Sequence, residues 1–175
     1  MIRYSFIDYN NNGSQDIGEP SLVLGTAQAD EFTEFTSDTI IYAKEGNDYF
    51  RSFDPPFESK SDLYLDGAAG DDSFLLYSVH QSTLVGGSGD DGFGLNSANT
   101  NLTIIANSGN DTISGTAINS TISGGGGDDT ISPYFESSFI KGDAGEDNII
   151  VEGSNNTISG GADGDLITLR LGSST

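Results

Sequence analysis

Cysteine is absent from the 175-residue chain, so it can form neither a disulfide framework nor a thiolate metal site. Basic residues are scarce, because only 6 Lys and Arg stand against 27 Asp and Glu, which gives a formal net charge of -21. Such a charge disfavours nucleic acid and anionic membrane surfaces as partners and favours cations. No run of 18 apolar residues occurs, so no membrane span is predicted. The single histidine, His80, stands without a cysteine or an obvious triad, and no catalytic residue is predicted.

Glycine is abundant, with 24 residues, and it lies beside aspartates that recur along the chain. The spacings between successive aspartates of this set are 18, 24, 19, 20, 18, 18 and 18 residues. A spacing of 18 that is held three times in succession indicates an internal repeat. The set consists of Asp30, Asp48, Asp72, Asp91, Asp111, Asp129, Asp147 and Asp165.

Apolar residues keep the same register and predict strands. One set follows each aspartate by two residues: Phe32, Phe50, Phe74, Phe93, Ile113, Ile131, Ile149 and Ile167. A second set lies between the copies: Ile41, Leu65, Leu84, Ile104, Ile122, Ile140 and Ile158. Mixed neighbours around one constant apolar position are typical of a strand with one buried side chain. One coil is therefore predicted to have about 18 residues and two short strands, stacked into two parallel sheets over a narrow core.

The clearest copies are residues 124–132, 86–94 and 67–75, which follow the pattern G-G-x-G-x-D-x-U-x, where U is a large apolar residue. Over roughly residues 24 to 168 the chain resembles the RTX (repeats-in-toxin, haemolysin-type) calcium-binding repeat family. The resemblance implies an all-β fold, a right-handed parallel β-roll of about eight 18-residue coils. It also implies Ca²⁺ ions between the turns of stacked coils, held by the eight aspartates and by turn carbonyl groups. The turns at 160–165 and 43–48 depart from the glycine pattern.

The turns between these copies carry no acid at the position equivalent to the aspartate. They have Thr39, Leu63, Ser82, Leu102, Ser120, Ser138 and Asn156 there. We therefore expect calcium along one edge of the roll only, with short polar side chains along the other.

Residues 8–19 form a separate candidate calcium site, because they fit the EF-hand loop pattern D-x-[DN]-x-[DN]-G-x₅-E. The predicted ligands are Asp8, Asn10, Asn12, the Ser14 carbonyl group, Asp16 and bidentate Glu19. The preceding residues 2–7 alternate like a strand. Together with the sites between stacked turns, this loop would bring the count to about eight Ca²⁺ ions, which would reduce the net charge of -21 to -5.

Two other functions remain open from the sequence. Threonines recur at outward strand positions and could bind a glycan or ice, although their rows are interrupted. One row is Thr83, Thr103, Thr121, Phe139 and Thr157; the other is Ser73, Gly92, Thr112, Thr130 and Asn148. Parallel solenoids also include polysaccharide lyases, so the chain could be the non-catalytic portion of a polysaccharide-modifying enzyme.

The favoured interpretation is a calcium-dependent folding or spacer module of a larger exported or cell-surface protein, with flanking domains. We expect an N-terminal strand and calcium loop at 1–23, the β-roll at 24–171 and a tail at 172–175. Residues 2–6 do not form a secretory signal peptide, and both ends are expected to be cut points in a longer, bacterial chain.

Overall fold

The structure is a computed structural model, and it describes residues 3–6, 20–33, 35–52 and 59–170. Within these ranges the chain consists of strands and turns, and there is no helix long and apolar enough to cross a membrane. The strands are β1 (Arg3–Phe6), β2 (Ser21–Leu24), β3 (Glu31–Phe32), β4 (Thr39–Tyr42), β5 (Tyr49–Arg51), β6 (Lys60–Ser61), β7 (Tyr64–Ala69), β8 (Ser73–Tyr77), β9 (Val79–His80), β10 (Thr83–Ser88), β11 (Gly92–Thr100), β12 (Thr103–Ser108), β13 (Thr112–Ile118), β14 (Thr121–Gly126), β15 (Thr130–Glu136), β16 (Phe139–Ala144), β17 (Asn148–Glu152), β18 (Thr157–Ala162) and β19 (Leu166–Arg170).

The strands form two sheets, and consecutive coils contribute one strand to each. The first sheet has the order β1-β2-β4-β7-β10-β12-β14-β16-β18, and the second has the order β19-β17-β15-β13-β11-β8-β5-β3. Strand β1 pairs with β2 antiparallel, whereas the pairings along both stacks of coils are parallel. The predicted all-β parallel solenoid of about eight coils is therefore confirmed. The strand predicted from the alternation at 2–7 is observed as β1.

The core is the space between the two sheets, and the predicted apolar positions fill it. Phe50, Phe74 and Phe93 stack with nearly parallel rings, at centroid distances of 4.4 and 4.6 Å. Isoleucines take over the same position from Ile113 onward and are fully buried as far as Ile149. Ile167 differs, because it is 42% exposed on β19, the outermost strand of its sheet.

Irregular spacings in the sequence correspond to local additions to the coil. Between Asp91 and Asp111 the extra residues form a bulge in β11, where Leu95 pairs with Gly115 and Asn99 pairs with Ala117. Asn99 is buried, and its side-chain amide donates to the Asn96 carbonyl group inside this bulge. In the 24-residue spacing, residues 53–58 lie outside the described ranges, and the coil resumes at β6, which pairs with β9. The additions leave the stacking of the turns intact.

The outward rows named from the sequence are in register. Thr83, Thr103 and Thr121 pair with one another across β10, β12 and β14, and Phe139 follows on β16. Phe139 is 38% exposed, so an aromatic ring interrupts the row of hydroxyl groups. The row in the second sheet is likewise interrupted at Gly92.

Candidate calcium column

The aspartates of the repeat form a column along one edge of the solenoid. Six of them are almost completely buried, with side chains and backbone only 1–2% exposed: Asp48, Asp72, Asp91, Asp111, Asp129 and Asp147. Each lies in the turn just before a strand of the second sheet, because the residue after it begins that strand. The parallel register of these strands places equivalent turns directly above one another. The column is therefore a direct consequence of the repeat length.

One carboxylate oxygen of each of these six aspartates holds neighbouring coils together. Its Oδ1 accepts a hydrogen bond from the backbone N–H of the aspartate in the preceding coil. The N–H of Asp111 donates to Asp129 Oδ1 at 2.8 Å, and the N–H of Asp129 donates to Asp147 Oδ1 at 2.9 Å. The same bond recurs from Asp30 to Asp165, with donor–acceptor distances from 2.7 to 3.1 Å. These bonds satisfy buried N–H groups that the strand ladder does not reach.

The other oxygen, Oδ2, is buried without a hydrogen-bond partner in all six of these aspartates. Burial raises the pKa of Asp72, Asp91 and Asp129 to about 7 and that of Asp48 to about 6, although the N–H bond to Oδ1 works in the opposite direction. Neighbouring carboxylates of the column raise these pKa values further. A buried anionic oxygen with no donor is costly, so the arrangement is incomplete as a purely protein structure.

The surroundings of Gly124 illustrate the space beside an unpaired Oδ2 atom. A Cβ on Gly124 would overlap Asp129 Oδ2 and would lie 2.8 Å from the carbonyl oxygen of Gly142 in the next coil. The carboxylate of one coil and a main-chain carbonyl of the following coil therefore border the same small space. Within the described residues no three acidic or histidine side chains converge on one point, so a cation here would take most of its ligands from carbonyl groups. An all-oxygen set of this kind fits Ca²⁺.

The aspartates at the two ends of the column have different surroundings. Asp30 Oδ2 accepts the N–H of Thr26 at 2.6 Å, so this oxygen already has a partner in its own turn. Asp165 is only half-buried, and a Cβ on Gly160 would meet its carboxylate without a carbonyl group of another coil among its nearest atoms. The structure thus brings all eight predicted aspartates into one column, and in the inner six of them Oδ2 is buried without a hydrogen-bond partner.

A second, exposed ladder lies beside the column and was not predicted from the sequence. Here the side-chain oxygen of one coil accepts the N–H of the equivalent residue in the following coil, which is the opposite direction to the aspartate column. Asp71 Oδ1 accepts from Asp90, and Asp90 Oδ1 accepts from Asn110, at 3.0 and 2.7 Å. The recurrence of Asp or Asn immediately before each column aspartate, from Asn47 to Asp128, was the signal that could have revealed it.

The opposite edge of the solenoid is built from neutral side chains whose polar atoms are paired. Ser120 Oγ accepts the N–H of Leu102 at 3.0 Å and donates to the Ile118 carbonyl group at 3.0 Å. Ser138 repeats the arrangement, accepting from Ser120 at 3.1 Å and donating to Glu136 at 2.9 Å. These hydroxyl groups link consecutive coils as the aspartates do, but they leave no buried oxygen unpaired. The unpaired buried carboxylate oxygens of the described residues therefore lie along one edge, and the binding of cations there stays a prediction.

The candidate EF-hand-like loop at 8–19 lies outside the described residues. Its predicted ligands, from Asp8 to Glu19, therefore remain a prediction from the sequence pattern.

Comparison with known families identifies repeats in the C-terminal part of the chain. A model of the RTX calcium-binding nonapeptide repeat matches four copies, at residues 105–133 and 139–175. These ranges contain Asp111, Asp129, Asp147 and Asp165. The chain is thus a parallel β-solenoid protein, and its C-terminal part carries RTX calcium-binding repeats. No curated protein matches the chain.

Proposed function

We propose that the chain is a calcium-binding module whose folding depends on the metal, and that it serves as a folding or spacer unit of a larger exported or cell-surface protein. The observation that carries this proposal is the column of buried Oδ2 atoms without partners. Six such oxygens in consecutive coils form a regular row of sites at which the metal-free fold is destabilised and a cation would stabilise it.

The proposed ligands are the carboxylates of the column, from Asp30 to Asp165, together with carbonyl groups of the turns. Bound Ca²⁺ would supply positive charge to the unpaired oxygens and would join the turns of adjacent coils. The protein side chains contribute in two ways: Oδ1 fixes the carboxylate to the preceding coil, and Oδ2 is thereby held towards the space shared with the following coil. With the loop at 8–19, whose ligands end at Glu19, the module would bind up to about eight ions.

The net charge of -21 supports folding outside the cell. Without cations the acidic chain repels itself, and metal binding and folding then become one event. Extracellular calcium modules typically bind at about 10⁻⁴ to 10⁻³ M, which exceeds cytosolic calcium and matches extracellular calcium. We propose secretion from, or display on, a bacterial cell and a non-catalytic role, with the roll at 24–171 between a calcium loop at 1–23 and a tail at 172–175.

Circular dichroism with controlled metal content tests the proposal. After exhaustive chelation the full chain should show a coil-like far-ultraviolet spectrum, and millimolar Ca²⁺ should produce the β spectrum. Mg²⁺ at the same concentration should not replace Ca²⁺, because it requires near-octahedral geometry and gives up its water reluctantly. An unchanged β spectrum after complete metal removal would refute calcium-dependent folding, and isothermal titration calorimetry without bound Ca²⁺ would refute calcium binding itself.

A further inference from the structure

The first position of each column turn, five residues before the aspartate, holds only glycine or alanine. These residues are Gly25, Ala43, Gly67, Gly86, Ala106, Gly124, Gly142 and Gly160, and all eight are buried. Strand pairing is interrupted at this position: between β10 and β12, Val85 pairs with Ile105 and Gly87 pairs with Asn107, but residues 86 and 106 do not pair. The first turn position is therefore a place where coils meet without regular ladder contacts.

In the four glycine turns of the inner coils this position borders the unpaired carboxylate oxygen. A Cβ on Gly67 would overlap Asp72 Oδ2 and lie 2.8 Å from the Gly86 carbonyl oxygen. A Cβ on Gly142 would overlap Asp147 Oδ2 and lie 2.5 Å from the Gly160 carbonyl oxygen. Gly86 and Gly124 have equivalent neighbours. Glycine thus leaves open a volume that is bounded by oxygens from two coils.

In the two alanine turns a methyl group is present at this position. Ala43 and Ala106 are both 0% exposed, so their methyl groups lie inside the turn and not in solvent. The carboxylate cannot move away freely, because Asp111 Oδ1 accepts the Asp91 N–H at 2.7 Å and Asp48 Oδ1 accepts the Asp30 N–H at 2.7 Å. The methyl group must therefore take part of the volume beside Oδ2.

We propose that the first turn residue sets the calcium affinity of its coil, so that the glycine turns are strong sites and the alanine turns are weak ones. This inference rests on the proposed calcium function. Ca²⁺ needs six to eight oxygen ligands at about 2.3–2.6 Å, and a methyl carbon beside the carboxylate restricts how closely such a shell can assemble. The strong sites are those of Asp72, Asp91, Asp129 and Asp147, and the weak sites are those of Asp48 and Asp111.

The position of the second weak site has a consequence for the whole roll. The Asp111 turn lies between the pair of strong turns at Asp72 and Asp91 and the pair at Asp129 and Asp147. In a linear repeat array the stability of each unit is coupled to that of its neighbours. A central coil that binds Ca²⁺ weakly therefore separates the array into two cooperative blocks. Calcium should then fill two blocks of coils first and the central site afterwards.

Exchange of the two residue types tests the inference. Of the two weak sites, Ala106→Gly should tighten that of Asp111 by about tenfold, which is at the low end of the effects of residues around metal ligands, and should leave that of Asp48 weak. Gly124→Ala should create a new weak phase and move the midpoint of folding to higher calcium. Ala69→Gly is the matched control, because Ala69 is in the third turn position with a negative φ, where an equivalent Cβ on Gly126 meets only a main-chain oxygen at 3.9 Å and no carboxylate.

Isothermal titration calorimetry of the full chain, with circular dichroism in parallel, gives the readout. The inference is overturned if Ala106→Gly binds Ca²⁺ with the same phases as the parent chain, or if Ala69→Gly tightens the weak phase to the same extent. Ala106→Gly removes atoms and cannot introduce a clash, so it decides the question even if Gly124→Ala does not fold. If the parent chain binds no Ca²⁺ at millimolar concentration, the proposed calcium function fails and the assignment of strong and weak sites fails with it, whereas binding with unchanged phases in Ala106→Gly overturns the assignment alone.

Discussion

Asp129 allows the two roles of a column carboxylate to be separated. Its Oδ1 accepts the Asp111 N–H at 2.8 Å, whereas its Oδ2 has no partner and borders the Gly142 carbonyl oxygen. Asp129→Asn keeps an oxygen for the N–H and can place an amide N–H beside that carbonyl group. Asp129→Ala removes both functions. Both substitutions remove the buried charge, but only Asp129→Ala also removes the hydrogen bond. Without metal the alanine variant should therefore be less stable than the asparagine variant, and the two should have similar effects on calcium binding.

The magnitudes follow from the buried groups. In Asp129→Ala the buried N–H of Asp111 loses its acceptor, which costs about 1–3 kcal/mol with or without calcium. In Asp129→Asn this bond remains, and the removal of a buried, unpaired charge should stabilise the metal-free fold by about 1–2 kcal/mol at pH 8. With calcium, both variants lose a charged ligand and should need more Ca²⁺ to fold.

The assay compares two titrations of each variant. In chelator, the concentration of trimethylamine N-oxide needed to induce the β spectrum measures the stability of the metal-free fold. In buffer, the Ca²⁺ midpoint measures the metal-dependent part. Ser120→Ala is the control, because it removes the acceptor of the Leu102 N–H on the opposite edge without removing a charge. The reasoning is refuted if Asp129→Asn has the parent calcium midpoint, or if Ser120→Ala shifts that midpoint as far as Asp129→Ala does.

Two further predictions concern protons and the N-terminal loop. Because the folded-state pKa of Asp72 and Asp91 is raised to about 7, the protonated column contributes stability that is complete below pH 4 and is lost as the pH rises through about 7. On acidification from pH 8 to pH 5, the chain in chelator should therefore gain β signal. In Ca²⁺ titrations without chelator, the midpoint should rise over the same change in pH. A chain in chelator that loses β signal on acidification would contradict this. Glu19→Gln should reduce the number of bound Ca²⁺ ions by one in calorimetry while the roll folds near its original midpoint, because all ligands of that loop come from one segment. An unchanged count would indicate an ordinary turn, and loss of the whole transition would indicate a cap on which the first coil depends.

The architecture was predictable because the repeat length alone determines which side chains share a row. Once the aspartates were aligned, the buried positions from Phe50 to Ile149 and the asymmetry between the two edges followed from counting. The register then placed Asp129 in one column with its equivalents. A solenoid is favourable for such reasoning, because every coil repeats the contacts of its neighbours.

Other features depend on atomic detail that the repeat pattern does not contain. The sequence does not show that Oδ1 of each inner aspartate accepts an N–H from the preceding coil. Nor does it show that Oδ2 of Asp30 accepts the N–H of Thr26. The spacing of 20 between Asp91 and Asp111 shows that this coil has two extra residues. It does not show that they form a bulge in β11 that buries Asn99. The exposure of Ile167 follows from its place on an outermost strand and not from its position in the repeat.

The hydrogen bonds to Oδ1 also impose an order on events during synthesis. The N–H of each column aspartate from Asp30 to Asp147 donates to an aspartate oxygen that lies 18 to 24 residues later in the chain. A chain that grows from its N-terminus always ends in an unfinished coil, because the residue that completes it has not yet been made. A C-terminal portion that is already in place would instead receive each earlier coil with its acceptor ready. If the chain is exported as we propose, delivery of its tail first into a calcium-rich compartment would allow each arriving coil to form its inter-coil hydrogen bond immediately.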